Sequence, residues 1–504
     1  MRKTFYITTA IDYPSSEPHL GHAYEKLCAD VLARWHRLLG DDVFFLTGTD
    51  EHGQKILKAA KRNGLKPQEF VDKKAEKFKE LCKKWNISND RFIRTTEPGH
   101  VKVAQEIFKK IFDRGEIYLG KYSGYYCTEC ETFYLEKDLD NGKCPVHGKP
   151  CEILSEESYF FKMSKYKEKI LEYIKENQLS IWPKGKKEEI KNRLESELRD
   201  LSVSRSSFDW GVPVPINKHH VQYVWMDALL NYISGVDYPN EKFEKYWPAD
   251  VHLIGKDILW HHTVIWWSIL LSAGIPLPKT VLVHGFINTA SGEKMSKSKG
   301  TVINPLKLAE KYNVDSVRYF LMREIPFGED GFFSEQALKK RNNDELANEL
   351  GNLVNRTLSM LERFNGGKIP SARTEPALTE KLNLKKIKKH MRAFEFHLAL
   401  SEIMGFVKAC NAFVNEREPW KKQGKELDGI LYSLADSLRV IATLLWPFMP
   451  ASSEKMLEQL GCWKQGLGEC EFNLLKAGTQ TKKAGILFEK IEAEERKTIK
   501  TSMH

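Results

Sequence analysis

Short apolar runs alternate with amphipathic stretches over residues 1–115, a pattern typical of a parallel α/β fold. Lys3–Ala10 reads KTFYITTA, a β-branched and aromatic run that predicts a buried strand, and Asp42–Leu46 predicts a second. Between them, the apolar residues of 22–35 recur at helical spacing. A further strand is predicted at Val281–Ile287. These elements together predict a parallel sheet covered by helices.

Breaks in this pattern divide the chain into parts. Residues 116–215, with a cysteine cluster and a charged helical stretch, predict an insertion that splits the α/β region, whose second half spans 216–290. Residues 291–340 contain a lysine-rich loop and a bridging segment. In 341–504 strand signals fade, and one helical stripe is formed by Leu346, Leu350, Leu353, Val354 and Leu358. The last part is therefore predicted to be an α-helical bundle.

A motif with two histidines follows the first predicted strand and its turn. His19-Leu20-Gly21-His22 lies where a helix begins, and free amides at a helix N-terminus favour phosphate. Gly21 permits close approach of a nucleotide, and both imidazoles can donate hydrogen bonds to phosphate oxygens. For this motif alone, an ordinary turn with two exposed histidines is the favoured interpretation. The motif becomes a candidate ATP site only in combination with a second one.

That second motif is Lys294-Met295-Ser296-Lys297-Ser298, which follows a predicted strand and a flexible turn. A mobile loop of lysines can close on the β- and γ-phosphates and stabilise departing pyrophosphate. The shorter string KMSK also occurs at Lys162–Lys165, without the following serine and glycine. We interpret that copy as unrelated, which shows how little the short string means alone.

Four residues with metal-ligand spacing lie in the predicted insertion: Cys127, Cys130, Cys144 and His147. Two close pairs, each on a turn, can supply sulfur and nitrogen ligands to one tetrahedral zinc ion. Four protein ligands leave no open position, so this zinc is predicted to be structural. Cys151 is an alternative to His147 as the fourth ligand, and the spacing leaves that choice open. Unrelated cysteines or a disulfide are the less favoured interpretation.

Composition adds few constraints. The chain has 504 residues, 41% of them hydrophobic and 29% charged, which is ordinary for a globular protein of several domains. The net charge of +10 and the pI of about 8.9 suit a polyanionic partner. The longest apolar stretch, Ile258–Leu271, contains histidines and predicts a buried helix rather than a membrane span. We expect no membrane association and a cytoplasmic location, because no targeting segment precedes the first strand.

The order and spacing of HLGH and KMSKS resemble the signatures of class I aminoacyl-tRNA synthetases. The resemblance extends over most of the chain and is most specific for the methionyl-tRNA synthetase family. It includes the segments GTDEHG at Gly48–Gly53, YVWMDA at Tyr223–Ala228 and IGKDI at Ile254–Ile258, and the His284-Gly285 pair. It implies a Rossmann-type catalytic domain split by a zinc-knuckle insertion and followed by an α-helical anticodon-binding domain. It also implies a ligase that uses ATP with Mg²⁺, L-methionine and tRNA(Met), including the initiator tRNA.

The resemblance assigns roles to individual residues. Catalysis falls to His19, His22, Lys294 and Lys297. ATP is expected to contact His19, Gly21, His22, Gly255, Asp257, His284, Gly285 and Lys297. Methionine is expected to contact Ile11, Tyr13, Asp50, Trp225, Ala228, Tyr232, His262 and Trp266. The anticodon is expected to contact Asn352, Arg356 and Trp420. His261 and Ile265 depart from the aromatic residues frequent in the family, which affects the expected shape of the amino acid pocket.

Several other functions compete with this interpretation. Synthetases for Leu, Ile and Val are similar but usually carry a larger editing insertion. A cysteine-specific enzyme would hold zinc in its amino acid pocket. A non-catalytic tRNA-binding factor would not require both nucleotide motifs, and a zinc-ribbon nucleic-acid binder would account for only the cysteine cluster. We expect a monomer, because no added dimerisation domain is recognisable.

Overall fold

The computed structural model describes residues 2–128, 132–134, 136–146, 148–289, 302–463 and 466–492. The chain forms two compact units. The first comprises Met1–His36, Asp41–Phe286 and Ile303–Leu306. The second comprises Arg37–Gly40, Ile287–Val302 and Lys307–His504.

The first unit contains thirteen strands and ten α-helices among the described residues. Its strands are β1 (Thr4–Thr9), β2 (Asp42–Thr49), β3 (Arg91–Arg94), β4 (Ile117–Cys127), β5 (Thr132–Tyr134), β6 (Glu152–Phe161), β7 (Ile181–Trp182), β8 (Leu201–Ser202), β9 (Ser204–Arg205), β10 (Pro213–Val214), β11 (Asn217–Gln222), β12 (Val251–Gly255) and β13 (Val281–His284). Its helices are α1 (Leu20–Leu38), α2 (Gln54–Arg62), α3 (Pro67–Lys84), α4 (Pro98–Asp113), α5 (Lys167–Glu176), α6 (Lys184–Glu195), α7 (Val224–Ala228), α8 (Asn231–Ser234), α9 (Glu241–Tyr246) and α10 (Trp266–Ala273).

A six-stranded sheet in the order β3-β2-β1-β12-β13-β7 forms the centre of this unit, and all its pairings are parallel. Its inner strands are buried on both faces, as the continuous apolar runs predicted. From β1, the chain adds β2 and β3 on one side and later β12 and β13 on the other. The β1–β12 boundary is therefore the point where the strand order reverses, where open α/β sheets bind ligands.

Two antiparallel sheets have the strand orders β5-β4-β6-β8 and β10-β11-β9. All their strands lie within the predicted insertion except β11, which begins just after its end at residue 215. Strand β7, from the same part of the sequence, instead pairs with β13 at the edge of the parallel sheet. The second KMSK string lies on the 3₁₀-helix Met163–Tyr166, where Met163 is buried. Its methionine is thus a core residue, in agreement with our interpretation of this string as unrelated to ATP binding.

The second unit is mostly helical. Its strands β14 (Ile287–Thr289) and β15 (Gly331–Phe333) pair in parallel, so the single strand predicted at Val281–Ile287 is in fact divided between β13 and β14. Its helices are α11 (Pro305–Lys311), α12 (Val314–Glu324), α13 (Glu335–Arg341), α14 (Asn352–Asn365), α15 (Pro376–Thr379), α16 (Leu384–Arg392), α17 (Phe396–Arg417), α18 (Gly424–Leu445) and α19 (Pro450–Gln459). A π-helix, Asn342–Gly351, joins α13 to α14.

The predicted stripe from Leu346 to Leu358 is buried along this π-helix and α14, which confirms the helical bundle. Together with the parallel sheet, it confirms the predicted fold class. Among the residues that the structure describes, no helix is both long and apolar enough to cross a membrane.

Candidate active site

The carboxyl ends of four neighbouring strands carry seven of the predicted site residues of the first unit. They are Ile11 and Tyr13 after β1, Asp50 after β2, Gly255 and Asp257 at β12, and His284 and Gly285 at β13. Parallel pairing brings these ends to one edge of the sheet, although the residues are far apart in the chain. The helix α1 begins at the same edge, so a ligand there meets strand ends and a helix N-terminus together.

His19 and His22 cap the N-terminus of α1 reciprocally. The His19 backbone N–H donates to His22 Nδ1 at 3.1 Å, and the His22 N–H donates to His19 Nδ1 at 3.4 Å. The two rings stack with centroids 3.6 Å apart. This is the arrangement of a capping box, with imidazoles in place of Ser and Glu. Because each Nδ1 accepts a backbone N–H, the proton of each neutral ring lies on Nε2, so Nε2–H is the donor of each ring.

At two positions on this edge, Gly21 and Gly255, a side chain would crowd a neighbouring residue of the site. A Cβ at Gly21 would lie 3.1 Å from the His19 ring, and one at Gly255 would lie 2.8 Å from Asp257 Oδ1. Gly21 therefore permits the stacked pair of histidines. Gly255 permits the close approach of Asp257 to the end of β12.

Two buried ion pairs lie behind the motif on α1, and neither was predicted from the sequence. Lys26, fully buried, contacts the Asp12 carboxylate, whose other oxygen lies 4.0 Å from His22 Nε2. Glu25 accepts from His284 Nε2 at 3.1 Å. Burial lowers the pKa of His284, but Glu25 more than offsets this, so the net pKa is raised. The pair Glu25–His284 connects α1 to the end of β13.

Three predicted methionine contacts form a hydrogen-bonded aromatic cluster. The His262 ring donates from Nδ1 to the Ile258 carbonyl at 3.0 Å, so its Nε2 accepts the Tyr232 hydroxyl at 2.7 Å. Tyr232 in turn stacks on His252 with ring centroids 4.2 Å apart, and Trp266 Nε1 donates to His252 Nε2 at 3.2 Å. Burial lowers the pKa of His262 to about 4, so this ring is neutral at physiological pH.

Trp225 forms another part of this cluster. Its ring stacks on His261 with centroids 3.9 Å apart and lies edge-on to His262 at 6.1 Å. Both histidines lie on the π-helix His261–Ile265, whose wider turn is common at functional sites. Burial lowers the pKa of His261 to about 3, so it serves as a neutral aromatic ring, and Ile265 is buried. Ile11 and Tyr13 pack against the same core, and Ala228 is buried.

The turn after β2 is held by buried charges that the sequence did not indicate. The Asp50 backbone N–H donates to the Asp12 carbonyl at 2.9 Å, which joins the ends of β1 and β2. Glu51, fully buried, forms two hydrogen bonds with the Arg94 guanidinium at 2.7 and 3.0 Å. The next residue, His52, donates from Nδ1 to Asp227 at 2.6 Å. Buried carboxylates with cationic or N–H partners thus fix the backbone around Asp50.

Of the predicted zinc ligands, the structure describes Cys127 and Cys144, and both are buried. Strands β4 and β6 are antiparallel, and their last paired residues are Tyr126 and Glu152, the neighbours of Cys127 and Cys151 in the chain. Burial raises the pKa of Cys151, and its neighbours Cys127 and Cys144 raise it further. Within the described part of the chain, no three His, Cys, Asp or Glu side chains form a metal-binding group. Cys130 and His147 lie outside the described residues, as do Lys294 and Lys297.

The predicted anticodon contacts belong to the second unit. Asn352 begins α14 and is exposed, and Arg356 one turn later donates to the Asn415 side chain on α17 at 2.9 Å. Trp420 follows the end of α17 on the 3₁₀-helix Pro419–Lys421, and half of its surface is exposed. An exposed tryptophan can stack on an unpaired base.

Comparisons with known proteins identify the family. The family described as tRNA synthetases class I (M) matches residues 5–149 and 135–358, and the anticodon binding domain of methionyl tRNA ligase matches 365–503. The methionine–tRNA ligase of Caldanaerobacter subterraneus subsp. tengcongensis is 47% identical over 98% of this chain and 80% of its own length. This chain belongs to the methionyl-tRNA synthetase family. It is therefore a class I ligase, as the resemblance predicted.

Two further relatives agree with this assignment. The methionine–tRNA ligase of Bacillus subtilis is 44% identical over 98% of this chain and 78% of its own length. The Mycobacterium tuberculosis methionyl-tRNA synthetase in complex with methionyl-adenylate superposes with a TM-score of 0.92 at 40% identity, over 96% of this chain and 99% of that one. The methionyl-tRNA synthetase fold thus extends over both units, and a synthetase for another amino acid is no longer a competing interpretation.

The reciprocal cap on α1 can be tested apart from catalysis. His22→Asn keeps an acceptor for the His19 N–H, whereas His22→Ala removes it and should destabilise the first turn of α1 by about 1 kcal/mol more than His22→Asn does. Hydrogen exchange of the first-turn amides should then be about fivefold faster in the alanine variant. Equal exchange in the two variants would contradict the capping assignment.

Proposed function

We propose that this chain attaches methionine to tRNA(Met) in two steps. The methionine carboxylate attacks the α-phosphate of ATP, which forms methionyl-adenylate and releases pyrophosphate. A hydroxyl of the terminal ribose of tRNA then attacks the adenylate carbonyl, which forms the ester and releases AMP. The observation that carries this proposal is the reciprocal histidine cap at the sheet edge formed by the ends of β1, β2, β12 and β13. It presents two Nε2–H donors at a helix N-terminus.

In the first step, His19 and His22 bind the phosphate oxygens through Nε2–H, and Lys297, with Lys294 in support, stabilises charge on the departing pyrophosphate. Gly255, Asp257, His284 and Gly285 bind ATP beside them, with Gly21 allowing close approach. The Mg²⁺ that accompanies ATP neutralises phosphate charge. No covalent intermediate with the enzyme is required, because positioning and electrostatics supply the stabilisation.

Methionine is held between Asp50 and the aromatic cluster. The Asp50 carboxylate binds the ammonium group, and the thioether packs among Trp225, Tyr232 and His262, with Ile11, Tyr13, Ala228 and Trp266 around it. A polarisable sulfur makes favourable contacts with aromatic rings. Since His262 is neutral and accepts the Tyr232 hydroxyl, the pocket presents rings and no net charge to the thioether. That property suits an uncharged side chain.

A cationic cavity supports the binding of the tRNA acceptor end. In the first unit, a cavity of about 610 Å³ separates α2 from the cysteine-containing insertion, and its cationic lining residues are Lys55, Lys58, Lys61, Arg62 and Lys149. Among the described lining residues, the one carboxylate is Glu152, which pairs with Lys58 at 3.5 Å. Lys55 Nζ lies 5.4 Å from the Tyr13 ring, so the cavity adjoins the proposed methionine pocket. Phosphates of the single-stranded 3′ end suit such a surface.

Asn352, Arg356 and Trp420 read the anticodon of tRNA(Met), including that of the initiator tRNA. We further propose that the protein acts as a cytoplasmic monomer. Its parts follow the division drawn from the sequence: 1–115 and 216–290 for the catalytic domain, 116–215 for the insertion, 291–340 for the lysine loop, and 341–504 for anticodon binding.

The lysine loop has a matched control within the chain. Lys297→Ala should slow methionine-dependent pyrophosphate exchange by about 10²–10³-fold, because an electrostatic contact to the transition state is lost. Thermal unfolding should not change. Lys165→Ala, in the second KMSK string, should leave exchange intact, because Lys165 is exposed on a 3₁₀-helix. Exchange by Lys297→Ala near the wild-type rate would refute the loop assignment.

The anticodon assignment predicts an effect confined to tRNA. Trp420→Ala should raise KM for tRNA(Met) by about 5- to 150-fold, as expected for one lost base–aromatic stack of about 1–3 kcal/mol. Pyrophosphate exchange without tRNA should not change. Trp463→Ala is the control, because Trp463 in the same unit is 80% exposed. If Trp420→Ala and Trp463→Ala behaved alike, Trp420 would not contact the anticodon.

One structural zinc bound by Cys127, Cys130, Cys144 and His147 completes the proposal. Two of these are buried thiols, which suit zinc when deprotonated. We expect one zinc per chain by elemental analysis, lost in Cys144→Ser and retained in Cys151→Ser. Loss in Cys151→Ser with retention in His147→Gln would instead make Cys151 the fourth ligand.

A further inference from the structure

Asp227 is a fully buried carboxylate that bridges two histidines. One oxygen accepts from His52 Nδ1 at 2.6 Å, and the other accepts from His100 Nε2 at 2.8 Å. The side chains of Asp227 and His100 have no exposed surface, and that of His52 is only 7% exposed. Hydrogen bonds to a carboxylate that water does not reach are strong and hold both rings in fixed orientations.

The bridge extends beyond these three residues through its outer partners. His100 Nδ1 lies 2.8 Å from the Ser234 hydroxyl, which donates to it because Nε2 carries the proton toward Asp227. The backbone carbonyl of His52 accepts the Tyr13 hydroxyl at 3.2 Å. The network thus connects the turn after β2, helix α4, helix α7 and helix α8, all within the first unit.

Three of these four segments, the turn after β2, α7 and α8, also carry a proposed methionine contact. His52 is two residues after Asp50, and Ser234 is two residues after Tyr232. Asp227 lies on α7 between Trp225 and Ala228. Asp227, His52 and His100 are not themselves proposed contacts of methionine or ATP, whereas their outer partner Tyr13 is a proposed methionine contact. The bridge therefore fixes the separation between the group that binds the ammonium and the rings that surround the thioether.

We propose that Asp227, His52 and His100 are positioning residues that set the geometry of the methionine pocket and so its affinity for the amino acid. This inference rests on the proposed function, because it assumes that methionine binds between Asp50 and the aromatic cluster. The ATP site involves the cap on α1 and the ends of β12 and β13, none of which contains a member of the bridge. Weakening the bridge should therefore affect methionine and spare ATP.

The two histidines use different ring nitrogens, which permits a crossed test. An Asn amide nitrogen occupies about the position of Nδ1, and a Gln amide nitrogen that of Nε2. His52→Asn and His100→Gln therefore keep a donor to Asp227, while His52→Gln and His100→Asn lose it. We expect His52→Gln and His100→Asn to raise KM for methionine by about 10- to 100-fold, because each loses one hydrogen bond to a charged group. KM for ATP should not change. In His52→Asn and His100→Gln, which keep the donor, KM for methionine should stay closer to the wild-type value.

Methionine-dependent pyrophosphate exchange gives both KM values, and thermal unfolding gives stability for each variant. A bridge with a purely structural role would lower stability in all four variants without the crossed pattern in KM for methionine, and that result would overturn the inference. Equal rises in KM for methionine and ATP would also overturn it. If the wild-type protein activated no methionine, the proposed function itself would fail. That outcome differs from one in which the wild type is active and the four variants have an unchanged KM for methionine.

Discussion

The parallel pairing of β1 with β2 on one side and with β12 on the other is the constraint on which the first unit depends. It places the ends of four strands at one edge, so residues near positions 12, 50, 255 and 284 become neighbours. The helix that follows β1 starts at that edge with its amides directed to the same space. The chemistry of the site then depends on which residues occupy these ends. In this chain they include histidines, glycines and residues with carboxylate side chains.

Burial controls the charge of the site. His261 and His262 are kept neutral because desolvation lowers their pKa, to about 3 and about 4. They therefore contribute aromatic surface and hydrogen-bond acceptors where a thioether is proposed to bind. For Asp227 the balance is the opposite. Burial raises the pKa of its carboxyl, but His52 and His100 lower that pKa by more than burial raises it, to about 2. The carboxylate stays ionised and can accept from both rings.

Sequence patterns predicted the parts of the structure that depend on local chemistry. Apolar runs located β1 and β2, the histidine motif located the start of α1, and the apolar stripe located the helical bundle. The contacts that orient the site were not predicted, since Asp227 is 175 residues from His52 and 127 from His100. The spacing of apolar and polar residues along the chain does not indicate hydrogen bonds between residues so far apart. The π-helix His261–Ile265 and the addition of β7 to the parallel sheet also depend on tertiary packing rather than on local pattern.

The central claim is that the histidine cap, the lysine loop and the aromatic pocket act together to activate methionine. Amino-acid-dependent ATP–pyrophosphate exchange, measured without tRNA for every proteinogenic amino acid, tests it most directly. The account predicts exchange with methionine alone. Exchange with a different amino acid would contradict the pocket assignment, and no exchange with any would contradict the catalytic account and favour a tRNA-binding factor.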